Sequence, residues 1–215
     1  MNQNYFNYYY PKSLLYLIIT PFIIQLGVIS LLSKFGFQNW LDMAITLSIQ
    51  PIIIPFLYVV NRWLWKIKPF SYLLWIKDFN GTYEGYLEYE YRDENGKTKT
   101  GKLQHTKIIH QTGSTITIRS FTFKKNGEES SPSISREVLI KRKEDDTFII
   151  TYTYENEGNE KLKYPPHYGT EIIEVVFDGD EKKRLKGKYY TNRMPQTRGQ
   201  FTDLKYINNK HNPPF

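Results

Sequence analysis

The chain contains no cysteine. Disulfides, thiolate catalysis and cysteine-based metal sites are therefore excluded. The order of residues suggests no group of nucleophile, base and acid, and there is no glycine-rich phosphate loop. His105 and His110 are five residues apart, which places them on opposite faces of a regular strand and argues against a shared metal. We therefore expect a protein that is not an enzyme and that has neither a metal nor a cofactor.

Charged residues are absent from two stretches near the N-terminus. The stretches run from Ser13 to Ser33 and from Met43 to Asn61. A helix needs about 20 apolar residues to cross the hydrocarbon core of a bilayer. With a short polar turn between them, the stretches predict a transmembrane helical hairpin, with spans at about 13–33 and 43–61 in a unit at residues 1–70. A signal peptide fits poorly, because the first stretch is too long and a second span follows it.

Positive charge around the two spans is unequal. After the second span come Arg62, Lys66, Lys68 and Lys77, whereas the turn between the spans is nearly neutral. Lys and Arg are enriched in cytoplasmic segments. Both termini are therefore predicted to be cytoplasmic. The whole chain has a net charge of +7, but acidic residues are interspersed throughout its second part, so no surface for duplex DNA is expected.

From Phe79 onward, apolar and polar residues alternate with period two between turn signals such as Asn95-Gly96 and Asn126-Gly127. This pattern is typical of half-buried strands joined by hairpins. It predicts eight strands, near residues 81–91, 102–111, 114–124, 133–142, 147–155, 170–177, 184–191 and 199–207. We expect an all-β domain at 77–210, an eight-stranded antiparallel up-and-down barrel like that of lipocalins. The tail around His211 is expected to have no fixed structure.

Several polar and aromatic residues share a strand face in the second part of the chain. The pairs are Tyr152 with Tyr154, Ser133 with Ser135, and Tyr189 with Thr191. Arg193 follows the seventh strand at a barrel rim. Tyrosines on the inner face of a barrel are often simply core. Together, however, stacking surfaces, hydroxyls and a guanidinium suit nucleobases and phosphates.

Several short segments, in this order behind two spans, resemble one known family. The segments are Gly81–Gly85, Ile109–Gln111, the alternating Ser131, Ser133 and Ser135, Tyr152–Asn156, His167–Thr170, Leu185–Arg193 and Thr197–Gly199. They are similar to the two-transmembrane β-barrel effectors of bacterial CBASS, a cyclic-oligonucleotide-based anti-phage defence.

The resemblance implies a function and a site. In that family the barrel binds a cyclic dinucleotide made by a cognate nucleotidyltransferase, and the protein then oligomerises and disrupts the inner membrane, which kills the host cell. The resemblance thus implies a multi-pass inner-membrane protein whose partners are the cyclic dinucleotide, the lipid bilayer and further copies of itself. The ligand-binding residues it implies are Tyr83, Gln111, Ser133, Ser135, Tyr152, Tyr154, His167, Thr191, Arg193 and Thr197.

A second function remains open from the sequence. Eight-stranded barrels often enclose one small ligand, so the chain could be a membrane-tethered, lipocalin-like carrier or sensor of a hydrophobic ligand. Such a carrier requires a mainly aliphatic interior, whereas an anionic nucleotide requires Tyr, Ser, Thr and Arg.

Overall fold

The computed structural model describes residues 6–35, 50–124, 126–178 and 182–215. The chain forms two compact units. The first comprises Met1–Asp78 together with Thr112–Thr115, and the second comprises Phe79–Gln111 and Ile116–Phe215.

The first unit is helical. Helix α1 spans Pro11–Lys34 and α2 spans Gln50–Arg62, and two short 3-10 helices follow at Leu64–Lys66 and Phe70–Leu73. The 21 residues Pro11–Leu31 have a mean hydropathy of 2.2, so α1 is long and apolar enough to cross a membrane. Much of its apolar surface is uncovered: the side chains more than half exposed include Leu15, Ile18, Phe22, Ile23 and Leu26.

The second predicted span is only partly described. Residues 43–49 of that span, and residues 36–42 of the turn before it, lie outside the described residues. The described part is α2, whose apolar stretch is the shorter Ile53–Arg62. Among the helices that the structure describes, α1 alone has the length of a membrane span.

The second unit is a closed barrel of eight antiparallel strands, in which each strand pairs with the next and β1 pairs with β8. The predicted up-and-down barrel is thereby confirmed. The strands are β1 Gly81–Arg92, β2 Thr98–Gln111, β3 Ile116–Phe123, β4 Glu129–Arg142, β5 Phe148–Asn156, β6 His167–Asp178, β7 Lys182–Thr191 and β8 Thr197–Asn208. Gly96 and Gly127 have φ of 73° and 79°, the left-handed backbone that hairpin turns of this type require.

One end of the barrel is sealed by aromatic side chains, and we call it the aromatic end. Successive connections of an up-and-down barrel alternate between its two ends, so the start of β1 and the end of β2 meet here. The rings of Phe79, Phe148 and Phe177 pack edge to face or tilted, with centroids 5.2 to 6.3 Å apart. The Gln111 side-chain oxygen accepts a hydrogen bond from the Phe79 amide at 2.8 Å, and the Tyr83 hydroxyl donates to the Phe79 carbonyl at 2.7 Å.

The tail after β8 is packed, which corrects the expectation of a tail without fixed structure. The His211 ring lies edge to face against His110 at 4.9 Å. Phe215 contacts both Phe121 and Phe123, with ring centroids 5.2 and 5.3 Å apart. These aromatic contacts outweigh the local preference of a proline-containing tail for disorder, because each edge-to-face pair adds about 0.5–1.5 kcal/mol.

We predict that residues 77–215, expressed alone, form a soluble β-rich protein, because the second unit has its own core. Residues 77–210 should fold as well but unfold at lower urea concentration. The two lost Phe215 contacts correspond to about 1–3 kcal/mol of unfolding free energy. Far-UV circular dichroism followed through urea denaturation measures both. Equal stability of the two fragments would show that the tail contacts contribute nothing.

Candidate ligand site in the barrel interior

The end of the barrel opposite to the aromatic end has a polar interior, and we call it the polar end. The β1–β2, β3–β4, β5–β6 and β7–β8 connections meet there. Inward-facing residues alternate with outward-facing ones along each strand. Pairing places Tyr152 of β5 beside Glu171 of β6, and Glu171 beside Tyr189 of β7. All three are buried, with at most 7% of each residue exposed.

An ion pair lies inside the barrel. The Lys107 ammonium is 2.6 Å from Oε2 of Glu171, and the two side chains are 0% and 6% exposed. Lys107 also donates to the Ser120 hydroxyl at 2.7 Å and to the Tyr152 hydroxyl at 3.2 Å. Tyr152 in turn donates to Oε2 of Glu171. The Phe201 ring lies 4.9 Å from the ammonium, so the pair is enclosed.

Burial and charge set the protonation of this cluster. Burial lowers the pKa of Lys107, and the neighbouring Glu171 carboxylate opposes that shift. Burial and Glu171 both hold the pKa of Tyr152 well above its usual range, so the hydroxyl keeps its proton and donates. A buried charge needs such partners, because its desolvation costs several kcal/mol.

His105 lies on the inner face of the same strand as Lys107. Its Nδ1 shares a hydrogen bond with the Thr122 hydroxyl at 2.9 Å, and its ring stacks on Phe201 with centroids 6.1 Å apart. Nε2 is buried and has no partner. Burial, followed by the nearby Lys107 charge, lowers the pKa of His105 well below its usual value, so the ring is neutral at pH 7.

Three tyrosine rings lie against the barrel wall, each over a glycine of the next strand. A methyl group added at Gly169 would overlap the ring of Tyr154. The same relation holds for Gly199 with Tyr189 and for Gly101 with Tyr89. Glycine in a strand interior often marks such a close approach. Each ring therefore occupies the space along the wall that the glycine leaves free.

Arg193 follows β7 at the polar end. Its Nε and Nη2 donate to the Thr197 hydroxyl at 3.2 and 3.1 Å. The hydroxyl of Thr191 accepts from the Thr197 amide at 3.0 Å, which holds the turn. Burial, with a smaller contribution from the Arg193 charge, lowers the pKa of His167. Burial raises the pKa values of Tyr154 and Tyr189, and the Arg193 charge opposes both shifts, so Arg193 lies near all three side chains.

Arg193 is half-buried, and no acidic side chain pairs with it within the residues that the structure describes. Other arginines of the barrel wall do have such partners: Arg198 with Glu90, and Arg136 with Glu155. A guanidinium that is partly withdrawn from water and lacks a carboxylate is suited to bind an anion.

The structure brings together eight of the ten residues predicted from the sequence and separates two. In the polar half lie Ser133, Ser135, Tyr152, Tyr154, His167, Thr191, Arg193 and Thr197. The Ser135 hydroxyl accepts a hydrogen bond from the Ile118 amide at 2.9 Å, so it is engaged within the barrel wall, between β4 and β3. Tyr83 and Gln111 lie at the aromatic end, where both bond to Phe79.

Sequence reasoning missed His105, Lys107 and Glu171. The alternation of inward and outward residues along the strands did contain a signal for these three residues. His105 and Lys107 share a face with Ile109, and Glu171 shares a face with Ile173, so charges of opposite sign occupy inward positions on β2 and β6. Inward charges in a small barrel require one another, and the pair could have been predicted on that ground.

Among the hollows on the described barrel surface are one of about 700 Å³ and one of about 1060 Å³. The first is lined mainly by outward side chains that include Glu88, Lys102, Lys188 and Arg198. The second lies at the rim beside Met194. None of the ten predicted residues lines either hollow. The charged side chains that line these hollows are solvated and partly paired with one another. The hollows are therefore weaker candidates for an anion site than the interior.

A family model described as the Cap15 cyclic dinucleotide receptor domain matches residues 74–205, more than half of the chain. The chain belongs to this family. Cap15 proteins are CBASS effectors, so the family seen in the sequence is confirmed, whereas the second transmembrane span of that resemblance is not. The matched region contains seven complete strands and most of β8. No curated protein and no solved structure matches the chain.

We predict that the interior ion pair contributes strongly when only one partner is removed. Lys107→Met leaves Glu171 buried without compensation and should lower the unfolding free energy by about 3–5 kcal/mol. Lys107→Met combined with Glu171→Leu removes both charges and should recover most of that loss. Urea unfolding of the whole protein in detergent, followed by the β signal in circular dichroism, compares them. A double variant no more stable than the single one would contradict the ion pair.

Proposed function

We propose that the polar end of the barrel binds a cyclic dinucleotide, that binding promotes self-association, and that the N-terminal helices then disrupt the inner membrane. Membership of the Cap15 receptor family makes the barrel the cyclic dinucleotide sensor of a CBASS effector. The observation that favours the polar end as its site is Arg193, a half-buried cation without a carboxylate partner among the described side chains.

The interior offers the two kinds of contact that a cyclic dinucleotide needs. Arg193 can donate to a phosphate, because Thr197 occupies only its Nε and Nη2. Tyr89 and Tyr189 lie on the wall over Gly101 and Gly199, and their aromatic rings can stack with the bases of the ligand. Stacking of a base on an aromatic ring is worth about 1–3 kcal/mol.

A carrier of hydrophobic ligands is less compatible with this interior. Lys107, Glu171 and His105 lie inside the barrel at mid-depth. An acyl chain that reached them would desolvate polar groups without hydrogen-bonding to them, which is costly. The apolar residues of the barrel are concentrated instead at the aromatic end, where Phe79, Phe148 and Phe177 fill the space.

We predict that the purified whole protein in detergent binds a cyclic dinucleotide, and that Arg193→Ala weakens binding roughly ten- to a hundred-fold, the cost of a charge-assisted hydrogen bond. The affinity of Arg193→Lys should lie between those of the unaltered protein and Arg193→Ala, because lysine keeps the charge but lacks the planar guanidinium. Arg198→Ala is the matched control: it removes an outward arginine paired with Glu90 and should leave affinity unchanged.

Isothermal titration calorimetry over a panel of 3′,3′-cyclic dinucleotides measures these affinities. If fatty acids bind and none of the cyclic dinucleotides does, the carrier function would be favoured. Equal losses in Arg193→Ala and Arg198→Ala would mean that only overall charge matters.

The membrane step rests on α1. Its large apolar side chains are exposed along most of its length, and lipid is the environment that suits them. A single helical hairpin encloses no aqueous channel, so damage to the bilayer requires several copies side by side. A ligand can control that assembly only by binding the assembled form more tightly than the single chain.

We predict that cells co-expressing the protein and its nucleotide synthase die with depolarised membranes, and that replacing residues 1–70 with an unrelated two-span anchor prevents death. The chimera should retain ligand binding, which separates loss of the helices from loss of the sensor. Arg193→Ala in the natural chain should also prevent death. Depolarisation by the chimera would show that residues 1–70 are only an anchor.

A further inference from the structure

Glu171 uses only one of its two carboxylate oxygens. Oε2 accepts from both Lys107 and Tyr152, whereas Oε1 has no hydrogen-bond partner among the residues that the structure describes. The residue is 4% exposed. Oε1 is not among the described polar atoms that are fully buried without a partner, so it lies at the small exposed part of this residue and can accept a hydrogen bond from a ligand.

Lys107 has no capacity left for a ligand. Its three protons are taken by Ser120, Tyr152 and Glu171. The ion pair has no net charge, so it neither attracts a phosphate nor has a free donor to hold one. The cation available to a phosphate is Arg193, which lies at the end of β7 and not at mid-depth.

His105 provides a second unpartnered polar atom in the same part of the interior. Its Nε2 is buried and without a partner, and its ring rests on Phe201, which also contacts the Lys107 ammonium. The interior therefore offers an accessible acceptor on Glu171, which pairs in register with Tyr152 and Tyr189, and an unpartnered buried nitrogen on His105. A group that satisfied both would be flat, polar along one edge, and able to pass between aromatic rings, as a nucleobase is.

We infer that Glu171 is a specificity-determining residue, whose free oxygen accepts a hydrogen bond from the edge of a nucleobase inserted toward Lys107. This inference rests on the proposed function. A carboxylate can only accept hydrogen bonds. It therefore favours guanine or uracil, which have a proton on the ring nitrogen of the pairing edge. It disfavours adenine or cytosine, whose ring nitrogen at that place is a lone pair.

Glu171→Gln reverses this preference with little change of shape. The amide oxygen can still accept from Lys107 and Tyr152, while the amide nitrogen replaces Oε1 and donates. The test compares cyclic di-GMP with cyclic di-AMP and cyclic di-UMP with cyclic di-CMP, by calorimetry on the whole protein in detergent. We expect the ratio of affinities within each measurable pair to move at least about ten-fold toward adenine or cytosine.

Two further variants keep the result interpretable. Glu174→Gln removes the same charge three residues along β6, from an outward carboxylate paired with Lys143 at 2.8 Å, and should leave the ratios unchanged. Lys107→Met with Glu171→Gln avoids an uncompensated lysine. It serves as the test if the single variant does not fold.

The outcomes separate the inference from the proposed function. A changed ratio in the Glu171 variants alone supports base recognition by Glu171. Uniform weakening across the panel, or no change, overturns it, because a residue that merely supports the fold does not discriminate between bases. Absence of any cyclic dinucleotide binding by the unaltered protein overturns the proposed function instead.

Discussion

Pairing between β1 and β8 closes the sheet, and the arrangement of every interior side chain depends on that closure. Side chains alternate across a strand, so closure forces half of the residues of eight strands into one enclosed space. Large residues can share that space only if others are small. Glycines at inward positions of β2, β6 and β8 meet this requirement, because each accommodates a tyrosine ring from the preceding strand against the wall.

Closure also explains why charge inside the barrel is arranged in two ways. At mid-depth, water is excluded, and Lys107 and Glu171 neutralise each other within a network that uses every proton of the lysine. Near the polar end, Arg193 is only half-buried and remains without an acidic partner among the described residues. A neutral polar layer beneath a free cation is an asymmetric site. In the proposed function, the cation would hold a phosphate and the neutral layer would face a base.

The helical unit has the opposite character. The large apolar side chains of α1 are exposed along most of its length, and the described part of the chain leaves them uncovered. Such a surface is costly in water and favourable in lipid. Exposed apolar surface can also pack against another copy of the same helix, so a membrane segment of this kind suits both anchoring and assembly. The barrel, in contrast, has its own core and its charged outer wall.

The sequence alone determined the architecture of the barrel, because that depends on local signals. Period-two alternation and Asn-Gly turns predicted eight strands in a meander, and β1 to β8 follow those predictions to within a few residues at most ends. The uncharged stretch within α1 likewise identified a helix of membrane length. Local propensity and hydrophobic pattern are sufficient for such features, because they act between residues close in the chain.

Only the tertiary structure decided which residues meet. Tyr83 and Gln111 were predicted from the sequence as ligand-binding residues, yet their side chains bond to Phe79 at the aromatic end. Lys107 and Glu171 are 64 residues apart in the chain, and they form an ion pair because closure brings the inner faces of β2 and β6 together. Strand alternation decides which side of the wall a residue occupies. Its depth and its partners across the interior depend on strand register and barrel closure, which are long-range properties that no local pattern specifies.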